Sequence, residues 1–325
     1  MTESAEFRGT SKLDDSSSPT ADRSARARFK KIWIGPNGLR AGWAVFLFFA
    51  ITIGLLSAIH FIALHIHPPH GENAGELTPI HTIIAECLMA GSVIIATKIM
   101  SLFDKKSWMD YGLRAPLRLS HLMQGLFWGV ALMAAVMAVL VLTHGATIAV
   151  TSTGVLSLIK SGLLWGVAFA LVAVSEEFVC RGYAFFTLAS GTNAIIAAIL
   201  LSALFGMAHH QNAGENPAGL ISAGLFGVVL SLAVWRTGSL WWALGFHAAW
   251  DWSESFVFGA SDSGNVASDS WMLSHAAGPD WLSGGAAGPE GSMLIFPALA
   301  VLTLVILLTL PRNPKRWVRR ERQLA

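Results

Sequence analysis

Long apolar runs recur along the chain, and short polar or glycine-rich segments separate them. A helix needs roughly 20 predominantly apolar residues to cross about 30 Å of hydrocarbon, and most of these runs reach that length. Their length and continuity predict an all-α fold, a polytopic membrane helix bundle of about eight transmembrane helices. The predicted spans are residues 42–65, 79–101, 121–143, 157–189, 193–210, 218–235, 238–258 and 292–310.

The fourth run, residues 157–189, is too long for one simple crossing. We expect its last part, about residues 182–190, to bend and to lie in the membrane interface. The sequence Gly-Thr-Asn at 191–193 is a turn signal. It predicts a helical hairpin formed by the fourth and fifth spans.

The remaining segments complete the predicted domain organisation. Residues 1–31 are polar, with almost no apolar residues, and predict a disordered cytoplasmic tail. The transmembrane domain occupies residues 32–311, and residues 312–325 form a basic cytoplasmic tail. The connection 259–291 is rich in Gly, Ser and Ala without clear periodicity. We interpret it as a long, flexible outer loop and assign it no role.

Composition and charge support a membrane location. Hydrophobic residues make up 54% of the chain and charged residues 13%, whereas soluble domains carry about 25% charged residues. Basic residues lie before the first span, around the connection 103–119 and after the last span. The alternate connections 66–78, 144–156, 211–217 and 259–291 contain no Lys or Arg. This positive-inside pattern predicts eight spans in a cell membrane with both termini in the cytoplasm. From the style of the sequence alone we take that membrane to be a bacterial inner or plasma membrane, and we predict no nucleic-acid partner.

One charged stretch interrupts the fourth run. Glu176 and Glu177 are adjacent, and Arg181 follows within the same apolar surroundings. An ionised carboxylate in a bilayer costs on the order of several kcal/mol, so such residues indicate a functional site. Glu177 and Arg181 are spaced i,i+4 with the acid first, which favours a helical ion pair. Glu176 projects about 100° around the helix from Glu177 and is therefore free to face another partner.

Two further spans carry polar side chains that can meet these glutamates. Phe205 and His209 lie one turn apart on the fifth span, and the hairpin places His209 at nearly the depth of Glu176. His247 and Asp251, on the seventh span, share one helix face. Because lipid offers no hydrogen-bond partner, we expect the polar groups of these three helices to converge.

Such a constellation supports two kinds of chemistry. A carboxylate beside two imidazoles in a desolvated cleft can act as a general base toward water. Alternatively, His209 and His247, with Glu176 or Asp251, can hold Zn²⁺ with one open position. Each feature alone also has a plainer interpretation: a structural ion pair, a helix–helix hydrogen bond or, for Phe205, packing. Their combination across three spans favours a functional site.

The three patterns together resemble the motifs of a known family. They are Glu-Glu-x-x-x-Arg at 176–181, Phe-x-x-x-His at 205–209 and His-x-x-x-Asp at 247–251. In order and spacing they are similar to those of the CAAX-protease and bacteriocin-processing (CPBP, or Abi) intramembrane endopeptidases. The resemblance covers roughly residues 80–258.

The resemblance implies roles for the motif residues. The first glutamate of the pair, Glu176, would activate the hydrolytic water, and His209, His247 and Asp251 would hold it. Members of the family are described both as metalloproteases and as glutamate-dependent proteases that need no metal. The cofactor is therefore left unknown, with Zn²⁺ as a candidate.

The prediction that follows is a membrane-embedded endopeptidase, a metallo- or glutamic protease that acts on a peptide or membrane-protein substrate in the lipid bilayer. Glu177 and Arg181 would stabilise the hairpin and orient Glu176, and Phe205 would shape the pocket wall. A non-catalytic scaffold or partner-binding protein on the same fold is the first alternative. An ion- or proton-coupled carrier is the second, although no internal repeat supports it.

Overall fold

Helices make up most of the structure, a computed structural model that describes residues 32–35, 38–66, 76–212 and 214–311. The two predicted tails, residues 1–31 and 312–325, lie outside the described residues. The helices are α1 (Ala41–Ile66), α2 (Pro79–Phe103), α3 (Arg118–Leu142), α4 (Val155–Arg181), α5 (Tyr183–Gly191), α6 (Ala194–Ala208), α7 (Pro217–Thr237), α8 (Trp241–Asp251), α9 (Asp280–Ser283) and α10 (Ile295–Thr309). The strands are β1 (Ile34–Gly35), β2 (Gly38–Leu39), β3 (Glu76–Leu77), β4 (Ala146–Val150), β5 (Val266–Ala267) and β6 (Met272–Ala276).

Six helical segments of the described chain are long and apolar enough to cross a membrane. They coincide with the first six predicted spans and confirm an all-α, polytopic membrane bundle. The predicted seventh span contains α8, of 11 residues, which a π-helical segment, Trp252–Val257, continues. The predicted eighth contains α10, of 15 residues. The total of eight spans and the cytoplasmic position of both termini stay predictions.

The outer faces of the helices carry large apolar side chains. Phe61, Leu163, Ile195 and Leu308 are each more than half exposed, at 63, 68, 71 and 83%. In water such a surface would be costly, at about 25 cal/mol per Å² of apolar area. In a bilayer it meets lipid tails, which agrees with the predicted membrane location.

The fourth apolar run is broken, as its length predicts. Helices α4 and α5 meet at Gly182, where a β-carbon would lie 2.5 Å from the carbonyl oxygen of Phe178. Only glycine fits such a close backbone approach. After α5 the chain turns, and the side chain of Asn193 caps α6 by accepting the backbone N–H of Ile196 at 2.9 Å. The predicted bend and hairpin turn are confirmed.

Helices α3 and α8 cross at very short range because small residues line the crossing. A β-carbon at Gly129 would lie 2.5 Å from the carbonyl oxygen of Phe246, and one at Gly125 would lie 2.7 Å from the Phe246 nitrogen. On the other side, a β-carbon at Gly245 would overlap the backbone of α3. Small residues let helix backbones approach closely in membranes. This crossing sets the position of α8, which carries the third sequence motif.

The connection 259–291 is folded, so the expectation that it lacks regular structure is wrong. It contains β5, β6 and α9, and β6 pairs antiparallel with β4 from Ala146↔Ala276 to Val150↔Met272. Strand β5 pairs in parallel with β3. Both strands are too short to produce a clear alternating pattern, and their partners lie far away in the sequence. The connection packs over one end of the bundle.

Candidate active site

A cavity of about 480 Å³ opens among α2, α4, α6, α7 and α8 beneath the connection 259–291. Apolar side chains from α7 and α8 form one wall. The polar side chains that line the cavity are Thr78, His81, Thr82, Glu86, Glu176, His209, Asn212, His247, Asp251, Asp262, Ser263, Asn265 and Glu290. A mainly apolar cleft with a few convergent polar groups is typical of ligand and active sites.

The three sequence motifs meet at this cavity. Helix α4 contributes Glu176, α6 contributes Phe205 with His209 immediately after its last residue, and α8 contributes His247 and Asp251. The predicted convergence of polar groups from three helices is therefore present in the structure. Glu177 and Arg181, which the sequence also predicted for the site, lie behind the cavity wall.

His247 lies at the centre of the motif cluster. Its Nδ1 is 2.9 Å from Glu177 Oε1, and its Nε2 is 3.5 Å from Glu176 Oε2 and 3.4 Å from Asp251 Oδ2. Three carboxylates thus surround one imidazole. The imidazole links Glu176, which is 30% exposed to the cavity, with Glu177, which is fully buried.

The buried side of the cluster is the ion pair of Glu177 and Arg181. Their side chains are 0 and 1% exposed, and an Arg181 nitrogen bonds Glu177 Oε1. The guanidinium carbon of Arg181 also lies 4.9 Å from the centre of the Phe205 ring, within cation–π range. Phe205 therefore connects the ion pair with the cavity wall. The arrangement has the i,i+4 geometry that the sequence predicted.

His209 lies on the same cavity but apart from the carboxylates. Its Nδ1 is 2.9 Å from the carbonyl oxygen of Phe205, and its ring packs edge-on against the Phe205 ring with centroids 4.6 Å apart. Since a carbonyl only accepts, Nδ1 carries the proton, and in the neutral ring Nε2 is an acceptor. Among the described residues, His209 forms no ion pair with Glu176 or Asp251. Its Nε2 can therefore bind a water or a substrate group.

The motif residues match a zinc site in chemistry but only partly in arrangement. Two ligand atoms on a tetrahedral Zn²⁺ lie about 3.3 Å apart, close to the separations of His247 from Glu176 and from Asp251. However, within the described residues the motif side chains do not supply three ligand atoms that all lie within 4.8 Å of one another. The arrangement is that of an imidazole between carboxylates, which does not fit a tetrahedral Zn²⁺ site.

Sequence reasoning missed three carboxylates of this cavity. Glu86 on α2 accepts a hydrogen bond from the hydroxyl of Ser175, the neighbour of Glu176. It is the sole acidic residue of the predicted second span. An isolated carboxylate within an apolar span indicates a functional site, so the sequence could have identified Glu86. Asp262 and Glu290 come from the connection 259–291, where no sequence signal distinguishes them. Burial, reinforced by the Glu290 carboxylate, raises the pKa of Asp262 to about 8.

The part of the chain that carries the three motifs is similar to a known protein family. Residues 158–253 match the family model for the Rce1-like type II CAAX prenyl endopeptidases, and this segment contains all three motifs. The match makes the motif-bearing segment similar to the Rce1-like CAAX-protease family and supports the resemblance that the sequence predicted. The match begins within α4, so α2 and Glu86 lie outside it, although the resemblance predicted from sequence began near residue 80. No curated protein and no solved structure matches the chain.

Similarity of this segment to the Rce1-like family supports a membrane protease of the CAAX-endopeptidase type. Such a protease acts on a protein or peptide substrate in a lipid bilayer. The predicted resemblance to this family is thereby confirmed, and the general activity class is supported. The catalytic type, metallo or glutamic, and the roles of individual residues stay predictions.

Proposed function

We propose that this Rce1-like protein is an intramembrane endopeptidase in which Glu176 activates the hydrolytic water. The observation that carries this proposal is the different placement of two adjacent glutamates. Glu177 is fully buried and bonded to both Arg181 and His247, whereas Glu176 is 30% exposed to the cavity. Of these two glutamates, Glu176 is the one that can reach a water and a substrate carbonyl in the cavity.

The water is held between Glu176 and His209. Glu176 takes one proton from the water, and the neutral Nε2 of His209 accepts the other water hydrogen as a hydrogen bond. The resulting hydroxide attacks the carbonyl carbon of the scissile peptide. The new C–O bond forms as the carbonyl π electrons move to oxygen, which gives a tetrahedral oxyanion.

His247 stabilises that oxyanion. In its protonated form Nδ1–H donates to Glu177, so the ring keeps its orientation while Nε2–H is directed toward Glu176 and Asp251 at the cavity edge. A preoriented donor beside developing negative charge is usually the largest single contribution to such catalysis. Glu176 then returns its proton to the leaving nitrogen, and the C–N bond breaks.

The substrate is a peptide segment that can reach a largely apolar cavity. Phe226, Leu230, Phe246 and Trp250 line the wall opposite α4. This wall suits apolar side chains or a lipid-like substituent of the substrate, whereas the polar motif residues lie at the reacting carbonyl. The substrate class is therefore a membrane-associated protein or peptide.

Purified protein in detergent, assayed on a library of membrane-associated peptides, tests this proposal. Glu176→Gln is expected to lower the cleavage rate by about 10²–10⁴-fold, the usual contribution of a general base, without loss of monodispersity. His209→Ala should also abolish cleavage. His210→Ala is the matched control, because His210 is the neighbouring, exposed histidine and lies outside the motif cavity.

The opposite results would support other interpretations. Cleavage that persists in Glu176→Gln would exclude Glu176 as the base. Absence of cleavage by the wild type, with a stably folded mutant, would favour the non-catalytic scaffold that binds a partner.

A further inference from the structure

Three carboxylates outside the sequence motifs form the tightest acidic cluster of the described residues. One oxygen from each of Glu254, Asp262 and Glu290 lies within 4.8 Å of the others. They come from three separate segments: the π-helical segment after α8, the turn that follows it, and the short helical turn before α10. π-helical segments within helices are frequently found at functional sites.

Two members of this cluster have hydrogen-bond donors. Glu290 accepts the indole N–H of Trp250 at 2.8 Å and the hydroxyl of Ser263, and Asp262 accepts the hydroxyl of Ser255 at 3.1 Å. All three donors are neutral, so they orient the carboxylates without balancing their charge.

Glu254 has no such donor. Its side chain is 0% exposed, and neither carboxylate oxygen has a hydrogen-bond partner among the described residues. The nearby Trp250 indole donates to Glu290 instead. A fully buried carboxylate without a partner costs several kcal/mol by common estimates, and native proteins rarely keep one without a compensating ligand.

No protein cation compensates the cluster either. Among the described residues no Lys or Arg forms an ion pair with Glu254, Asp262 or Glu290. The connection 259–291, which contributes two of the three carboxylates, contains no Lys or Arg at all. No Lys or Arg of the described residues therefore balances the cluster, and the imidazole of His247 is already engaged by Glu176, Glu177 and Asp251, so a bound cation would supply the charge.

The geometry points to a binding site for a hard divalent cation of the Ca²⁺ class, formed by Glu254, Asp262 and Glu290. The ligand atoms are all oxygens, which calcium prefers, and no imidazole or thiolate of the kind that zinc prefers belongs to the set. Ca²⁺ binds oxygens at about 2.3–2.6 Å, so two of its ligands can lie up to about 5 Å apart. The separations within the cluster satisfy that limit.

The bound ion would attach the outer connection to the membrane helices. Glu254 belongs to the continuation of α8, whereas Asp262 and Glu290 belong to the connection and line the motif cavity. Gly288 brings the two turns together: it has φ +83°, and a β-carbon there would overlap the Ser261 carbonyl. The cation thus stabilises the part of the connection that covers the candidate active site.

Direct binding of Ca²⁺ to the full-length protein in detergent tests this inference. After treatment with a chelator, wild-type protein should bind one equivalent of Ca²⁺, and Ca²⁺ should raise its unfolding temperature. Glu254→Gln and Glu290→Gln should each weaken binding by at least about tenfold, because affinity depends on the number of charged ligands. Asp269→Asn is the matched control: Asp269 is an exposed carboxylate of the same connection, and at φ +56° asparagine is well tolerated.

A second measurement does not depend on how the variants fold. Tb³⁺ replaces Ca²⁺ in oxygen sites, and tryptophan sensitises its luminescence; Trp250 contacts Glu290 directly. Luminescence in the wild-type protein that Ca²⁺ removes by competition supports the site. Its absence, together with an unfolding temperature that Ca²⁺ leaves unchanged, would show that the carboxylates share protons and would overturn the inference.

Variants of the motif residues distinguish Ca²⁺ binding at the acidic cluster from Ca²⁺ binding at the motif cluster. Glu176→Gln and His247→Ala should bind Ca²⁺ as the wild type does, whatever their effect on cleavage. Loss of Ca²⁺ binding in His247→Ala with retention in Glu254→Gln would place the cation at the motif cluster and would also overturn the inference.

Discussion

The motif cluster and the acidic cluster are joined by α8 and its continuation, which carry His247, Asp251 and Glu254, yet the charges of the two clusters are balanced differently. Glu177 is buried with a cation from its own helix, Arg181, and with the imidazole of His247. Glu254 is equally buried but has no partner from the described chain. Burial alone therefore does not define the role of a carboxylate. The motif cluster pairs its buried charges within the chain, although Glu177 Oε2 and Arg181 Nη2 lack hydrogen-bond partners among the described residues, whereas neither oxygen of Glu254 has a partner.

The largest expected effect comes from removing the cation of the complete cluster. Arg181→Met leaves Glu177 buried without its charged partner, and breaking one side of such a pair typically costs about 3–5 kcal/mol. Denaturant unfolding of the purified protein in detergent measures this loss of stability. The double variant Glu177→Gln/Arg181→Met should recover much of it, because both charges are then absent. A double variant as unstable as the single one would show that the pair itself contributes little.

The next effect would act on both clusters at once. Gly125→Ala places a β-carbon against the backbone of α8 at Trp242 and Phe246, so α8 must move. Overpacking of this kind costs about 1–3 kcal/mol, and a displacement of about 1 Å at the reacting groups can lower the rate about 10²-fold. Cleavage and Ca²⁺ binding should therefore fall together.

Gly91→Ala is the matched control for that helix crossing. Gly91 lies within α2, and a β-carbon there would meet nothing within 4 Å. Alanine in place of a helical glycine should leave activity unchanged and raise stability by about 0.5–1 kcal/mol. Equal loss of function in both variants would contradict the special role of the α3–α8 crossing.

The smallest effect distinguishes the two buried glutamates directly. In the presence of a chelator, Glu254→Gln should change the free energy of unfolding by no more than about 1 kcal/mol, since Glu254 has no partner to lose. Glu177→Gln should be clearly more destabilising under the same conditions, because it leaves Arg181 uncompensated. Thermal unfolding with and without Ca²⁺ measures both. Strong destabilisation by Glu254→Gln without Ca²⁺ would contradict the absence of a partner.

Much of the candidate site could be predicted because it depends on spacings between residues that are close in the sequence. The i,i+4 spacing determines that Glu177 can reach Arg181, and the same spacing puts His247 and Asp251 on one helix face. The turn at residues 191–193 predicts the hairpin of the fourth and fifth spans. None of these inferences depends on how helices distant in the sequence rotate against one another.

Other parts of the site depend on that rotation. The sequence could not show that Glu177, besides pairing with Arg181, orients His247 through Nδ1, since this contact joins α4 to α8. It also could not show that Glu86 of α2 bonds the serine next to Glu176. Such contacts form only where the helices cross. The sequence shows the glycines that permit a close crossing, but it does not show which helix packs against each of them.

By itself the amino-acid sequence determined that this protein is an all-α membrane bundle with three motifs that resemble those of Rce1-like proteases. Hydrophobicity, helical spacing and the distribution of charge depend on residues that are close in the sequence, so they can be analysed without knowledge of tertiary contacts. Only the tertiary structure decided that the connection 259–291 folds over the cavity and brings Asp262 and Glu290 to Glu254. The physical reason is that its strand pairings and carboxylate contacts join segments with no local pattern in common, and they exist only once the helices have packed.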